Sequence, residues 1–116
     1  MILFFLHNLL QIFNFKSIKI VGDSMSPTIN DGDWLIIWKY NYINRINRYD
    51  IIVFNGLKNQ KMLKRIKSIN NNNQYYVIGD NSLNSVDSRK FGLINNSEVI
   101  GKAILRYYPI KKIKKI

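Results

Sequence analysis

Asp50-Ile51-Ile52-Val53-Phe54-Asn55-Gly56 sets the reading of the fold. An unbroken apolar run rich in β-branched residues, entered from an aspartate and left through Asn-Gly, is the pattern of a short strand closed by a turn. Trp34-Leu35-Ile36-Ile37-Trp38, between Asp33 and Lys39, has the same character. Both runs are apolar at consecutive positions, so both faces of each strand need covering and each is expected to be central in its sheet or against an apolar surface. Core packing is the expectation for both tryptophans. Working outward, β-rich runs recur at 17–21, 33–39, 50–54, 61–69, 75–78 and 98–108. Turn signals separate them at Asn30-Asp31-Gly32, Asn55-Gly56, the asparagine tract 70–73, Gly79-Asp80-Asn81 and Gly92. There is no strand-helix-strand alternation and no internal repeat. The fold class predicted is mainly β: a small antiparallel, barrel-like domain.

The flanks differ from this centre. Residues 1–16 are apolar but interrupted by His7, Asn8, Gln11 and Asn14. Asn8, Gln11 and Asn14 recur every third residue, a polar stripe on a short helix that lies in a membrane interface or docks on the domain. A span needs about 20 mostly apolar residues, and this segment falls short. It also lacks a basic start and a small-residue cleavage site, so a removable signal peptide is not expected. The organisation predicted is an apolar segment at 1–16, a single domain at 17–110, and a basic tail at 111–116 read as a solvated, frayed end.

Composition narrows the chemistry. With no cysteine in 116 residues, disulfides, thiolate metal sites and cysteine nucleophiles are excluded. The one histidine, His7, lies in the apolar run and is a poor base for a Ser-His-Asp triad. One histidine, one glutamate and scattered aspartates offer no ligand pair at metal-binding spacing, so no metal or cofactor is expected. A net charge of +11 implies attraction to something anionic: nucleic acid, acidic lipid headgroups or an acidic protein.

Three segments carry candidate chemistry. In Gly22-Asp23-Ser24-Met25-Ser26-Pro27-Thr28 a serine follows a strand-end turn, although such a segment also describes an ordinary surface turn. In Lys61-Met62-Leu63-Lys64-Arg65-Ile66-Lys67-Ser68, strand alternation puts Lys64 alone among Met62, Ile66 and Ser68 as the only charge on the apolar face. Burial there would favour a neutral amine able to take a proton from a hydroxyl; snorkelling to water from an edge strand is the alternative. The third segment, residues 79–92, gathers two carboxylates, three serines and an arginine between two glycines. Asp87 and Arg89 suit a carboxylate–guanidinium pair, and Ser85 is placed to orient a lysine amine.

Together these segments resemble the boxes of the signal peptidase I superfamily of Ser-Lys endopeptidases. The nucleophile box is matched at 22–28, the lysine box at Lys64-Arg65-Ile66 and the last box at 79–92; Gly32-Asp33 and Asp50-Ile51-Ile52-Val53-Phe54 match two short strand boxes. The resemblance covers about residues 18–108 and implies a signal-peptidase/LexA-type catalytic domain. It makes Ser24 the nucleophile, Lys64 the general base, Ser85 the residue orienting that lysine, and Asp87 with Arg89 a supporting pair. The Ser24 N–H would donate to the oxyanion, and Met25 would contact substrate. Gly22 stands where many bacterial members carry a hydroxyl-bearing oxyanion donor, and Tyr49 where glycine is usual.

The short interval 65–78, where larger members insert a second β domain, and the segment 101–109 look most like the small branch of nickel-type superoxide dismutase maturation proteases. That likeness implies removal of an N-terminal propeptide from a nickel superoxide dismutase precursor. It also implies a bacterial cytoplasmic or cytoplasmic-membrane location, with an acidic membrane surface as a possible partner. The alternatives are a general signal peptidase acting on exported proteins, a self-cleaving repressor-type protein, and, from another class, a basic β module binding nucleic acid through 58–67 and its tyrosines.

Overall fold

The computed structural model describes residues 2–40 and 45–116, with the side chains at 7 and 10–12 outside that description. The expectations for the His7 imidazole and for Gln11 in the polar stripe therefore lie outside the described residues. A helix α1 (Ile2–Ile12) precedes strands β1 (Phe15–Lys19), β2 (Trp34–Lys39), β3 (Ile51–Asn55), β4 (Lys61–Ile69) and β5 (Gln74–Ile78). A single-turn helix α2 (Ser88–Phe91), β6 (Ile94–Asn95), β7 (Val99–Tyr108) and β8 (Lys114–Lys115) complete the chain.

All strand pairings are antiparallel, in the order β1-β2-β7-β3-β4-β5-β6, with β8 added to β7. β7 holds the sheet together, running from Tyr108 opposite Trp34 of β2 to Val99 opposite Phe54 of β3. The expected barrel is not closed, because the path ends at β1 on one side and β6 on the other. β6 is only two residues long, enough to pair with Gln74 and Tyr75, and the outer edge of β1 is left to border a cleft.

β3 shows why its sequence is apolar throughout. Ile51 and Val53 join one core cluster with Met25, Ile29, Leu35 and Ile37, while Ile52 and Phe54 join another with Ile66, Tyr75 and Val77. Covered on both faces, all four side chains are buried, as a strand in the middle of a sheet requires. β2 differs from its expected packing. Leu35 and Ile37 enter the core, and by alternation Trp34 and Trp38 fall on the opposite face, half-buried beside Tyr107 and Phe15 at ring separations of 6.5 and 5.9 Å. Both tryptophans thus cover the outside of the sheet rather than filling its core.

The tail also departs from expectation. Lys114 and Lys115 pair with Arg106 and Leu105, the Ile116 N–H donates to the Ile104 carbonyl at 3.0 Å, and Ile116 packs against the first cluster. The lysine-rich composition hid a strand whose charged side chains point to water while its backbone pairs. At the other end, Ile2, Leu3, Phe4 and Phe5 are each at least 70% exposed on α1. No helix among the described residues is long and apolar enough to cross a membrane.

Arg106 of β7 ties the sheet to the loop between β1 and β2. Its buried guanidinium donates to the carbonyls of Thr28 and Lys112, both at 2.8 Å, and to Asp33 Oδ2 at 3.3 Å. Removing one partner of a buried ion pair leaves the other charge uncompensated. Arg106→Ala is expected to cost about 3–5 kcal/mol, read from urea unfolding; a loss below about 1 kcal/mol would show that the pair does not hold the loop.

Candidate functional site

The site begins where β1 ends. Ile20 continues the pairing by one residue, its N–H donating to the Asp33 carbonyl and its own carbonyl accepting from Gly32, both at 2.8 Å. Gly22 then takes a φ of +95°, and its N–H donates to Asp31 Oδ1 at 2.8 Å. That backbone conformation suits glycine and releases the chain from the sheet. Met25 and Ile29 drop into the core and anchor the following loop, leaving Ser24 half-exposed between them and the turn.

The segment 79–92 grips this loop from the other side. The Asn81 N–H donates to the Ser24 carbonyl at 2.9 Å, Asn81 Nδ2 to the Asp23 carbonyl at 3.1 Å, and Asn84 Nδ2 to Asp23 Oδ1 at 2.6 Å. Thr28 Oγ1 donates to Asp80 Oδ2 at 2.6 Å, and Asp80 is in turn held by both arms of Arg65 at 2.9 and 2.8 Å. The Arg65–Asp80 pair was missed from sequence. Strand register carries its signal: Arg65 lies opposite Ile78, so a carboxylate two residues past Ile78 falls within reach of its side chain.

Lys64 meets Ser24 across the cleft. It lies opposite Ile52 in β3 and shares a face with Met62 and Ile66, as alternation predicts, and is only 4% exposed. Its Nζ donates to Ser24 Oγ at 2.8 Å. Burial pushes the Lys64 pKa below its ordinary value, with the Asp87 carboxylate acting in the opposite sense. The expected face breaks down one step later: a register shift between Ile66 and Ser68 turns Ser68 out to solvent.

Asp87 is fully buried and organises the last box. It caps α2, accepting from the Arg89 N–H at 3.2 Å, and takes Arg89 Nε and Nη2 at 2.9 and 2.6 Å. The Gly79 N–H and Ser85 Oγ also donate to it, at 2.9 and 3.0 Å. Burial alone would raise its pKa, but these donors outweigh it and hold the carboxyl well below the usual range. The expected Asp87–Arg89 pair is formed. Ser85, expected to orient the lysine amine, gives its hydroxyl to Asp87 instead, and no Ser85–Lys64 hydrogen bond exists among the described residues. Met25 lines the cleft floor but is 2% exposed, so it offers little surface to a ligand.

An open cleft of about 490 Å³ leads to the Ser24–Lys64 contact, walled by Ile18, Ile20 and Val21 on one side and Lys61, Leu63 and Lys64 on the other. The Ser24 N–H has no hydrogen-bond partner among the described residues. No side chain stands at Gly22, and none lies within 4 Å of where its Cβ would be.

A small β domain with a half-exposed serine bonded to a buried lysine at the head of a peptide-sized cleft has the parts of a serine peptidase. The chain belongs to the signal peptidase family, peptidase S26, which it matches over residues 1–70 and 67–108. It is 27% identical to signal peptidase I of Bacillus caldolyticus over 154 aligned positions, covering 89% of this chain and 85% of that protein. It is 33% identical to mitochondrial inner membrane protease subunit 2 of Saccharomyces cerevisiae, covering 78% of this chain and 67% of the relative. A third relative, 28% identical with 88% and 84% covered, is the inactive signal peptidase IA of Staphylococcus aureus strain Mu50.

Two outcomes follow from the packing. A Cβ on Gly79 would lie 2.1 Å from Ser85 Oγ and 2.6 Å from the Ser24 carbonyl. Gly79→Ala is therefore expected to cost about 1–3 kcal/mol and to lower any Ser24-dependent activity, and unchanged stability would sink this account. Lys64 has a lower pKa folded than unfolded, so the unfolded chain binds more protons between the two values and stability rises with pH through that window. Lys64→Met should then be more stable than wild type near about pH 7, by a margin that shrinks toward about pH 10 in urea titrations.

Proposed function

We propose that this protein is a serine endopeptidase that cuts an N-terminal signal or propeptide from a precursor protein, using Ser24 and Lys64 as a dyad. The 2.8 Å contact between Lys64 Nζ and Ser24 Oγ carries the proposal. Membership of the family does not carry it alone, since a relative of similar identity bears the name of an inactive signal peptidase. A neutral Lys64 amine takes the Ser24 proton as Oγ bonds to the scissile carbonyl carbon, and the oxyanion turns to the Ser24 N–H. The resulting Lys64 ammonium gives the proton to the departing amine as the peptide bond breaks; the neutral Lys64 amine then takes a proton from the attacking water and returns it to Ser24 Oγ as the acyl group leaves. Asp87 and Arg89 support the loop behind the dyad, Ser85 acts through Asp87, and Met25 shapes the cleft floor.

The relatives named signal peptidase I favour a broad role on exported precursors. The narrower reading, a nickel superoxide dismutase precursor, draws on the short interval between the lysine box and the last box. The exposed apolar residues of α1 and the +11 charge support a place at the inner face of a bacterial membrane. A nucleic-acid module would leave the Ser24–Lys64 contact without a purpose.

Ser24→Ala and Lys64→Ala should each lower precursor cleavage by at least about a thousandfold while circular dichroism stays unchanged. Lys64→Arg should fail equally, since a guanidinium stays charged; retained cleavage in any of the three ends the proposal. The rate should climb with pH as the Lys64 amine loses its proton, at a pH below that of an ordinary lysine. A flat profile between about pH 6 and 9 would point to a different base.

A further inference from the structure

We infer that Asn81 is a positioning residue for the reaction: by clamping the backbone carbonyls of Asp23 and Ser24 it aims the Ser24 N–H at the oxyanion. The inference rests on the peptidase reading and adds to it the residue on which the oxyanion donor depends. Asn81 makes both contacts from one position. Its side-chain Nδ2 donates to the Asp23 carbonyl at 3.1 Å, and its own N–H donates to the Ser24 carbonyl at 2.9 Å. A peptide unit is planar, and in the trans form its C=O and N–H point in opposite directions. The Asp23–Ser24 bond is trans. A donor on the Asp23 carbonyl therefore sets the direction of the Ser24 N–H, which leaves from the opposite edge of the same plane. The main-chain bond to the Ser24 carbonyl fixes the next plane, so both soft dihedrals of Ser24 are held while Lys64 holds its Oγ at 2.8 Å.

An oxyanion donor is worth most when it already faces the place where charge develops. Gly22 cannot add a second donor, because it has no side chain and its N–H is taken by Asp31 Oδ1 at 2.8 Å. The Ser24 N–H, which has no partner among the described residues, carries that task, and its direction counts accordingly. Asn81 can hold it because the residues before it are anchored. Both arms of Arg65 grip Asp80, and the Gly79 N–H donates to the buried Asp87 at 2.9 Å. Asn84 makes a different contact, from Nδ2 to Asp23 Oδ1 at 2.6 Å, which ties the side chain and leaves the peptide plane alone. An amide suits position 81, since an aspartate there would set an acceptor against the Asp23 carbonyl and an aliphatic residue has no donor.

The test compares the full chain with Asn81→Ala on a fluorogenic peptide drawn from a synthetic library for Ser24-dependent cutting, and on the boronic acid of the same peptide. Ser24 Oγ gives an electron pair to boron as Lys64 takes its proton, leaving a tetrahedral anion that mimics the charged intermediate. Asn81→Ala should lower kcat about ten- to a hundredfold and weaken boronate binding by a similar factor, with KM held within about twofold. The pH at which the rate rises, which reports Lys64, should not move. Asn84→Ala should cost no more than about threefold in kcat. An unchanged kcat, or a loss confined to KM, would overturn the inference. So would a shifted pH profile, which would put the effect on Lys64, or an equal loss in Asn84→Ala, which would make anchorage of the whole loop responsible. If circular dichroism shows Asn81→Ala unfolded, the uncharged and similarly shaped Asn81→Leu is read in the same way; failure of both to fold would make Asn81 purely structural and overturn the inference. If the wild type cuts no library peptide in a Ser24-dependent way, the peptidase reading falls and takes this inference with it.

Discussion

A lysine amine held out of water beside a serine hydroxyl is the constraint around which the rest of this molecule is arranged. Lys64 sits on a face otherwise occupied by Met62 and Ile66, and desolvation there disfavours its charged form. Such a position costs stability near neutral pH, and a hydrocarbon side chain would fill it more comfortably. What the position supplies is an amine with a depressed pKa, 2.8 Å from Ser24 Oγ. The fold accepts a local penalty in exchange for chemistry, a common trade at functional sites.

Holding that contact falls to a polar scaffold rather than to more apolar packing. Two carboxylates do most of it. Asp80, gripped by Arg65, fixes Thr28 on the serine loop, and Asp87, capped by Arg89, fixes Gly79 and Ser85 behind it. Each carboxylate is an acceptor with several donors, so each segment's position depends on the others. Gly79 shows how tight the result is, since even a methyl group would collide with Ser85 and with the Ser24 carbonyl. The open edge of β1 is the other half of the arrangement: a sheet closed on itself would have left no cleft beside the serine.

Much of this was legible in the chain. The apolar run 51–54 announced a strand buried on both faces, and alternation in 61–68 isolated Lys64. Both depend on a period of two, which a strand imposes whatever surrounds it. The Asp87–Arg89 pair is two residues apart and could be read locally. The Arg65–Asp80 pair, with fifteen residues between partners, required knowing the β4–β5 register. Ser85 lies in the segment that the sequence singles out, but that its hydroxyl donates to Asp87 is not legible there, because a hydroxyl chooses among neighbours that only folding supplies.

The sequence by itself determined the mainly β, antiparallel class of fold, most of its strands and the isolation of Lys64 on an apolar strand face, because local periodicity and residue chemistry suffice for these. Only the tertiary structure decided that the sheet stays open, that the tryptophans cover its outer face, that the lysine-rich tail pairs with β7, and that Ser24 and Lys64 touch. Each of those outcomes turns on which distant segments compete for the same strand edge or the same donor. No pattern within a single segment encodes that competition.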